Sequence, residues 1–181
     1  MFFVVTVLAI AVLAFRLLGV AGVGRFAGWQ VCAAHGMAVM LVVTASAHFV
    51  PAGVTFMPNH ADMVRMVPPF VPFPSFMVYA TGVLELLGAA GLVLSATRRA
   101  AGIALAALFV LLLPANVHAA VADTPFNGEV ATPLWFRIPE QVLYIGVALW
   151  AARSGGTATA RRANAASRSR TGEPAVRAPS R

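Results

Sequence analysis

Few of the side chains in this sequence that can move a proton, hold an anion or ligate a metal lie inside its long apolar runs. The main ones are His48, Glu85, Asn116, His118, Arg137, Glu140 and Gln141. An ionisable group inside a membrane-spanning helix is costly to bury and marks a candidate site by default. Glu85 is the deepest, about ten residues into its apolar run, which is ~15 Å at helical rise. Arg137, Glu140 and Gln141 are spaced by three and four, so they share one helical stripe, as do Thr44 and His48. A carboxylate and an imidazole can exchange protons, while an arginine and an amide can orient a carbonyl oxygen. Unpaired at that depth, Glu85 would be protonated by desolvation; a nearby Arg137 or histidine would instead keep it ionised. Arg137 is expected to pair with either Glu85 or Glu140, and spacing does not choose between them.

A structural reading stands beside the chemical one. Polar residues near a helix end can satisfy backbone groups or join helices. Gln30, Thr44 and Ser46 fit that role best, and His48 and His118 also admit it. Pro114 removes the usual donor for the carbonyl of Val110, so Asn116 and His118 follow an expected kink. Gly82, Gly88 and Gly91, with Ala89, suit close helix packing. His48 and His118 are formally possible haem ligands on two helices, but no spacing pattern supports that role. The single cysteine, Cys32, allows neither an intramolecular disulfide nor a dithiol centre, and no metal-ligand cluster is visible.

These residues are carried by a chain of 181 residues, enough for one domain, that is 60% hydrophobic and 10% charged. Its mean hydropathy is +0.82. Soluble domains are nearer half apolar and a quarter charged, so the composition argues against a water-soluble globule and predicts an all-α membrane protein. Five apolar segments are long enough to span: about 2–23, 28–50, 75–95, 100–121 and 133–152. The first has no positive residue ahead of it, so it is expected to stay in the mature protein and not act as a signal peptide. Arg25, Arg98 and Arg99 fall in loops on the side of the C-terminal tail. The excess of arginine there predicts N-out and C-in. Arg16 then lies where its stem can snorkel to the cytoplasmic interface.

On the outer side, Asn59 and Asp62 form a capping-box pattern ahead of a short helix over His60 to Val67, which either roofs a cavity or is a plain connector anchored by Phe and Pro. The polar residues of spans two to five gather in the outer half, predicting a polar pocket among them. Residues 153–181, rich in Gly, Ser, Ala, Thr and Arg, predict a disordered cytoplasmic tail.

At these residues the sequence resembles the DoxX family of small bacterial membrane proteins, often grouped as redox-associated. Four stretches carry the resemblance: AHF at Ala47 to Phe49, MVPPFVPFP at Met66 to Pro74, TGVLELLGAAGLVL at Thr81 to Leu94, and PAN at Pro114 to Asn116 with LWFRIPEQ at Leu134 to Gln141. The likeness covers about Val31 to Trp150. It implies a four-helix membrane bundle made of spans two to five, with the first span as an addition, in the bacterial cytoplasmic (inner) membrane. Glu140 departs from the family pattern, which has an apolar residue before the glutamine.

Some members of that family are associated with quinol oxidase or with thiosulfate–quinone oxidoreduction, and similar eukaryotic proteins assist receptor assembly. The resemblance therefore implies a membrane component of a quinone-linked redox process, with quinone as its lipid-soluble ligand and a membrane or redox protein as partner. The alternative is a non-enzymatic assembly factor, chaperone or binder of a lipid-soluble molecule. A transporter is a weaker reading, because no inverted repeat is visible.

The net charge of +7 does not signal nucleic acid. Residues 153–181 hold seven Arg and one Glu, whereas the preceding 152 residues hold six Arg and five acids. The basic character belongs to the tail, as an orientation signal and a tether to anionic lipid.

Overall fold

The computed structural model describes residues 2–129 and 132–171. Each long apolar run becomes a helix, giving α1 (Phe3–Val20), α2 (Trp29–Ser46), α3 (His60–Met66), α4 (Pro74–Val93), α5 (Arg98–Val121) and α6 (Leu134–Thr171). A 3₁₀ turn at Gly24–Phe26 joins α1 to α2. Among the described residues there is no strand. A single bridge pairs Phe126 with Glu129 across Asn127 and Gly128, both at positive φ as a tight hairpin turn requires.

Helices α1, α2, α4 and α5 are long and apolar enough to cross a membrane. Their surface agrees with this. In α1 only Leu8 is buried, while Ile10, Leu13, Leu17 and Val20 are exposed. A helix that is apolar all round and uncovered by protein suits lipid, not water.

Helices α2, α4, α5 and α6 close a ring, with α2 and α5 each packed between α4 and α6, and α1 lying outside against α2. Met37, Met40, Leu41, Leu92 and Leu105 fill the centre. Small residues set the helix spacing. A Cβ on Gly102 would fall 2.6 Å from the Ala148 carbonyl oxygen, and one on Gly36 would fall 2.9 Å from the Val12 nitrogen. Only glycine lets α5 approach α6, and α2 approach α1, this closely. Gly88 and Gly91 meet Leu105 and Ala101 in the same way, in the packing role expected of them.

Several boundaries move. Helix α2 ends at Ser46, and residues 47–49 tighten into i→i−3 bonds of 3.2, 3.1 and 3.0 Å. Arg98 and Arg99 belong to the first turn of α5 and not to a loop. Phe73, directly before Pro74, takes the left-handed conformation (φ 53°) and turns the chain into α4. The largest correction concerns the tail. Helix α6 continues past residue 152 to Thr171, so residues 153–171 are helical and not disordered; 172–181 lie outside the described residues. Alanine and arginine are strong helix formers, and extending an existing helix needs no new nucleus. The extension also touches the bundle, since a Cβ on Gly155 would meet the Arg99 nitrogen at 2.7 Å.

Helix α3 has the anticipated capping box. The Asn59 side chain accepts from the Asp62 amide, and the Asp62 carboxylate accepts from the Asn59 amide, both at 3.1 Å. Arg65 pairs with Asp62 from the last turn. His60 Nδ1 donates to the His48 carbonyl, and its Nε2 bonds to Ser75 Oγ, each at 2.8 Å; its ring stacks on Tyr79. At the other end of α3, His118 Nδ1 donates to the Met66 carbonyl at 3.3 Å.

Gly102→Leu is expected to lower the thermal midpoint in detergent, at a cost of about 1–3 kcal/mol from overpacking. Gly146→Ala, with nothing within 4 Å of its added Cβ, is expected to leave the midpoint unchanged or raise it. Asn59→Ala is expected to cost about 1 kcal/mol within α3. It should speed amide exchange over residues 60–66 and leave the bundle helices protected.

Candidate functional site

Each bundle helix turns one stripe inward, and the polar members of those stripes converge. Helix α2 contributes Met40 and Thr44, with His48 just beyond its end. Helix α4 contributes Val78, Thr81 and Glu85, α5 contributes Phe109, Leu112 and Asn116, and α6 contributes Arg137, Glu140, Gln141 and Tyr144. Spacings of three and four put each set on one face. Together they line a cavity of about 580 Å³. Met63 and Met66 of α3, with Pro68, Phe70 and Val71 after it, form its roof; Phe126 and Val4 add apolar wall.

One side of the cavity is a carboxyl–imidazole pair. His48 Nδ1 donates to the Val78 carbonyl at 2.7 Å, which fixes the ring and directs Nε2 towards Glu85 Oε1 at 3.7 Å. Both side chains are 8% exposed. Gly82 makes this possible, because a Cβ there would fall 2.6 Å from the His48 Cβ. With Nδ1 committed to a carbonyl, Nε2 is the nitrogen that can gain or lose a proton, and Glu85 faces it. A separation of 3.7 Å is beyond hydrogen-bond length. A small shift, or a hydroxyl placed between the two, would complete a proton path.

The other side is built from one helix. Arg137 Nη1 lies 3.8 Å from Glu140 Oε2, and Tyr144 donates its hydroxyl hydrogen to Glu140 Oε1 at 2.7 Å. Two buried atoms here have no partner among the described residues, Arg137 Nε and Gln141 Oε1. Each such orphan costs roughly 1–3 kcal/mol. One needs an acceptor and the other a donor, so an oxygen-bearing ligand that switches between carbonyl and hydroxyl could serve both.

The structure brings together every expected site residue except His118, whose ring holds the end of α3 and does not line the cavity. It resolves the arginine pairing in favour of Glu140, leaving Glu85 to His48. Tyr144 went unanticipated, although its spacing of four from Glu140 and three from Gln141 continues the polar stripe. His35 is elsewhere, packed between Phe15 and Phe26 with Nδ1 on the Val31 carbonyl. Cys32 is buried, with its thiol directed to the Phe26 carbonyl. Among the described residues no three His, Cys, Asp or Glu side chains cluster as metal ligands.

No curated protein and no solved structure matches the chain. Residues 37–152, which include every polar residue lining the cavity and more than half of the sequence, match the family described as Domain of unknown function (DUF8561), and the chain belongs to that family.

Proposed function

We propose that this is a multi-pass protein of the bacterial cytoplasmic membrane that holds the ring of a lipid-soluble quinone or quinol in the cavity, as the membrane component of a quinone-linked redox process. The observation that carries the reading is the pair of unpartnered buried atoms, Arg137 Nε and Gln141 Oε1, lining the same cavity as the His48–Glu85 couple. A quinone oxygen accepts from Arg137, and the corresponding quinol hydroxyl donates to Gln141. Mostly apolar walls with a few convergent polar groups suit such a ring, and the cavity volume falls in the usual range for small-molecule sites.

Interconversion of quinone and quinol moves two electrons and two protons. The His48–Glu85 couple supplies a route for protons, and a partner redox protein supplies or takes the electrons. The first part of α6 acts as a fifth span, with the N-terminus outside. Arg25, Arg98, Arg99 and Arg153 then lie on the cytoplasmic side, in keeping with the excess of arginine in cytoplasmic loops. The cavity and its roof come to lie in the outer half of the bilayer. The likeness to the DoxX family supports the same reading.

Titration of short-tailed ubiquinol and menaquinol analogues into the protein in lipid nanodiscs is expected to give saturable binding. Gln141→Leu should weaken that binding about tenfold, the equivalent of ~1.4 kcal/mol for one lost hydrogen bond. Glu85→Gln should also weaken it and should flatten its pH dependence. Absence of saturable binding by either analogue would overturn the proposal, as would wild-type affinity in Gln141→Leu and Glu85→Gln alike.

A further inference from the structure

We propose a second site, for a phosphate-bearing ligand, between Arg25 and Arg98 at the end of the bundle opposite the cavity. A pocket of about 420 Å³ is lined there by Arg25, Val31, Val93, Leu94, Ser95 and Arg98. Arg98 is 4% exposed, with Nε on the Leu92 carbonyl at 2.7 Å, Nη2 on the Val93 carbonyl at 3.1 Å and Nη1 on Ser154 Oγ at 3.3 Å. Arg25 reaches the same Val93 carbonyl with Nη2 at 2.9 Å. Two guanidinium nitrogens sharing one oxygen can be no more than about 6 Å apart, a separation at which like charges repel appreciably away from bulk water.

Among the described residues no carboxylate answers them. The ion pairs among the described residues commit Asp62 to Arg65, Glu85 to His48 and Glu140 to Arg137. The remaining described acids, Asp123 and Glu129, follow the far end of α5. The N-terminus of α5 begins at Arg98 and adds further positive potential. Capping the last carbonyls of α4 explains one arginine. It does not explain a second cation on the same oxygen, with most of its five donors left over. An anion between the two guanidiniums removes the repulsion and uses those donors.

The surroundings fit a lipid headgroup. The pocket lies level with the helix ends and is lined in part by exposed Leu94; at the start of α2, exposed Trp29 carries the Arg16 guanidinium 5.2 Å above its ring. Basic pockets between spanning helices on the cytoplasmic side recognise anionic headgroups. Free phosphate presents the same chemistry, so the test separates the two sources.

The full chain is placed in phosphatidylcholine nanodiscs with or without phosphatidylglycerol, and its thermal midpoint and lipid retention by native mass spectrometry are measured. Phosphatidylglycerol is expected to raise the midpoint and to be retained. Arg25→Gln should weaken retention about fivefold, the share of one arginine, with little change of midpoint in phosphatidylcholine alone. Arg98→Lys, which keeps the charge but loses the planar fork, should weaken retention as well; should it misfold, the exposed Arg25 decides the matter alone. A midpoint raised in phosphatidylcholine discs by millimolar inorganic phosphate supports the site with free phosphate as its ligand. Equal retention of phosphatidylglycerol by wild type and Arg25→Gln overturns the proposal, because binding then runs through other arginines. Indifference to both phosphatidylglycerol and inorganic phosphate overturns it too.

Discussion

A carboxyl group in the apolar interior of a helical bundle has to be answered by a neighbour, and much of the local architecture serves to bring His48 to Glu85. Helix α2 stops at Ser46, and the chain tightens over residues 47–49, which carries His48 inward. Gly82 leaves the space its Cβ and ring occupy. The Val78 carbonyl takes the Nδ1 proton and so decides which nitrogen faces the acid. The backbone of His48 in turn receives the His60 ring, tying α3 to the same point. Loss of any of these would leave the buried Glu85 carboxyl without the imidazole that faces it.

The two sides of the cavity differ in how completely they are satisfied. On the His48–Glu85 side the imidazole is fixed by a backbone carbonyl, whereas the α6 side leaves an N–H and a C=O unanswered. Fully satisfied buried networks rigidify a core; a network left open in one place stores an unmet demand there. The demand sits beside the apolar walls that would take a ring, so affinity and orientation have separate origins. Apolar area supplies the first and the open polar atoms supply the second.

The membrane-spanning character was readable because it depends only on composition and run length. The capping box of α3 was readable because Asn59 and Asp62 act through local backbone. Membership of the cavity was largely readable too, since spacings of three and four assign Glu140 and Gln141, or Thr44 and His48, to one face without knowledge of the neighbours. Pairing was not. Whether Arg137 meets Glu85 or Glu140 depends on the order and rotation of α4 and α6, which no local pattern encodes. His118 shows the same limit: it lies two residues from Asn116, and that step turns its side chain away from the cavity towards Met66. The length of α6 is hidden for another reason. A segment without a core-forming face reads as unable to order, yet an Ala- and Arg-rich stretch continuing an existing helix needs little tertiary support.

Access follows from where the structure is held least. A helix of seven residues is too short to be stable alone. Helix α3 therefore rests on its capping box, on the His60 contacts at one end and on the His118 contact at the other. Over the cavity itself it offers only Met63 and Met66, flexible side chains that repack readily. Local opening is drawn from elements of this kind, with few buried contacts and polar ties at their ends. Phe70, Phe73 and Phe76, 78%, 76% and 65% exposed, continue from the roof onto the outer surface. An apolar ligand coming from the lipid would thus meet a continuous greasy path to the roof, whereas from the opposite end it would meet the arginine collar and the closed packing of Leu92 and Leu105.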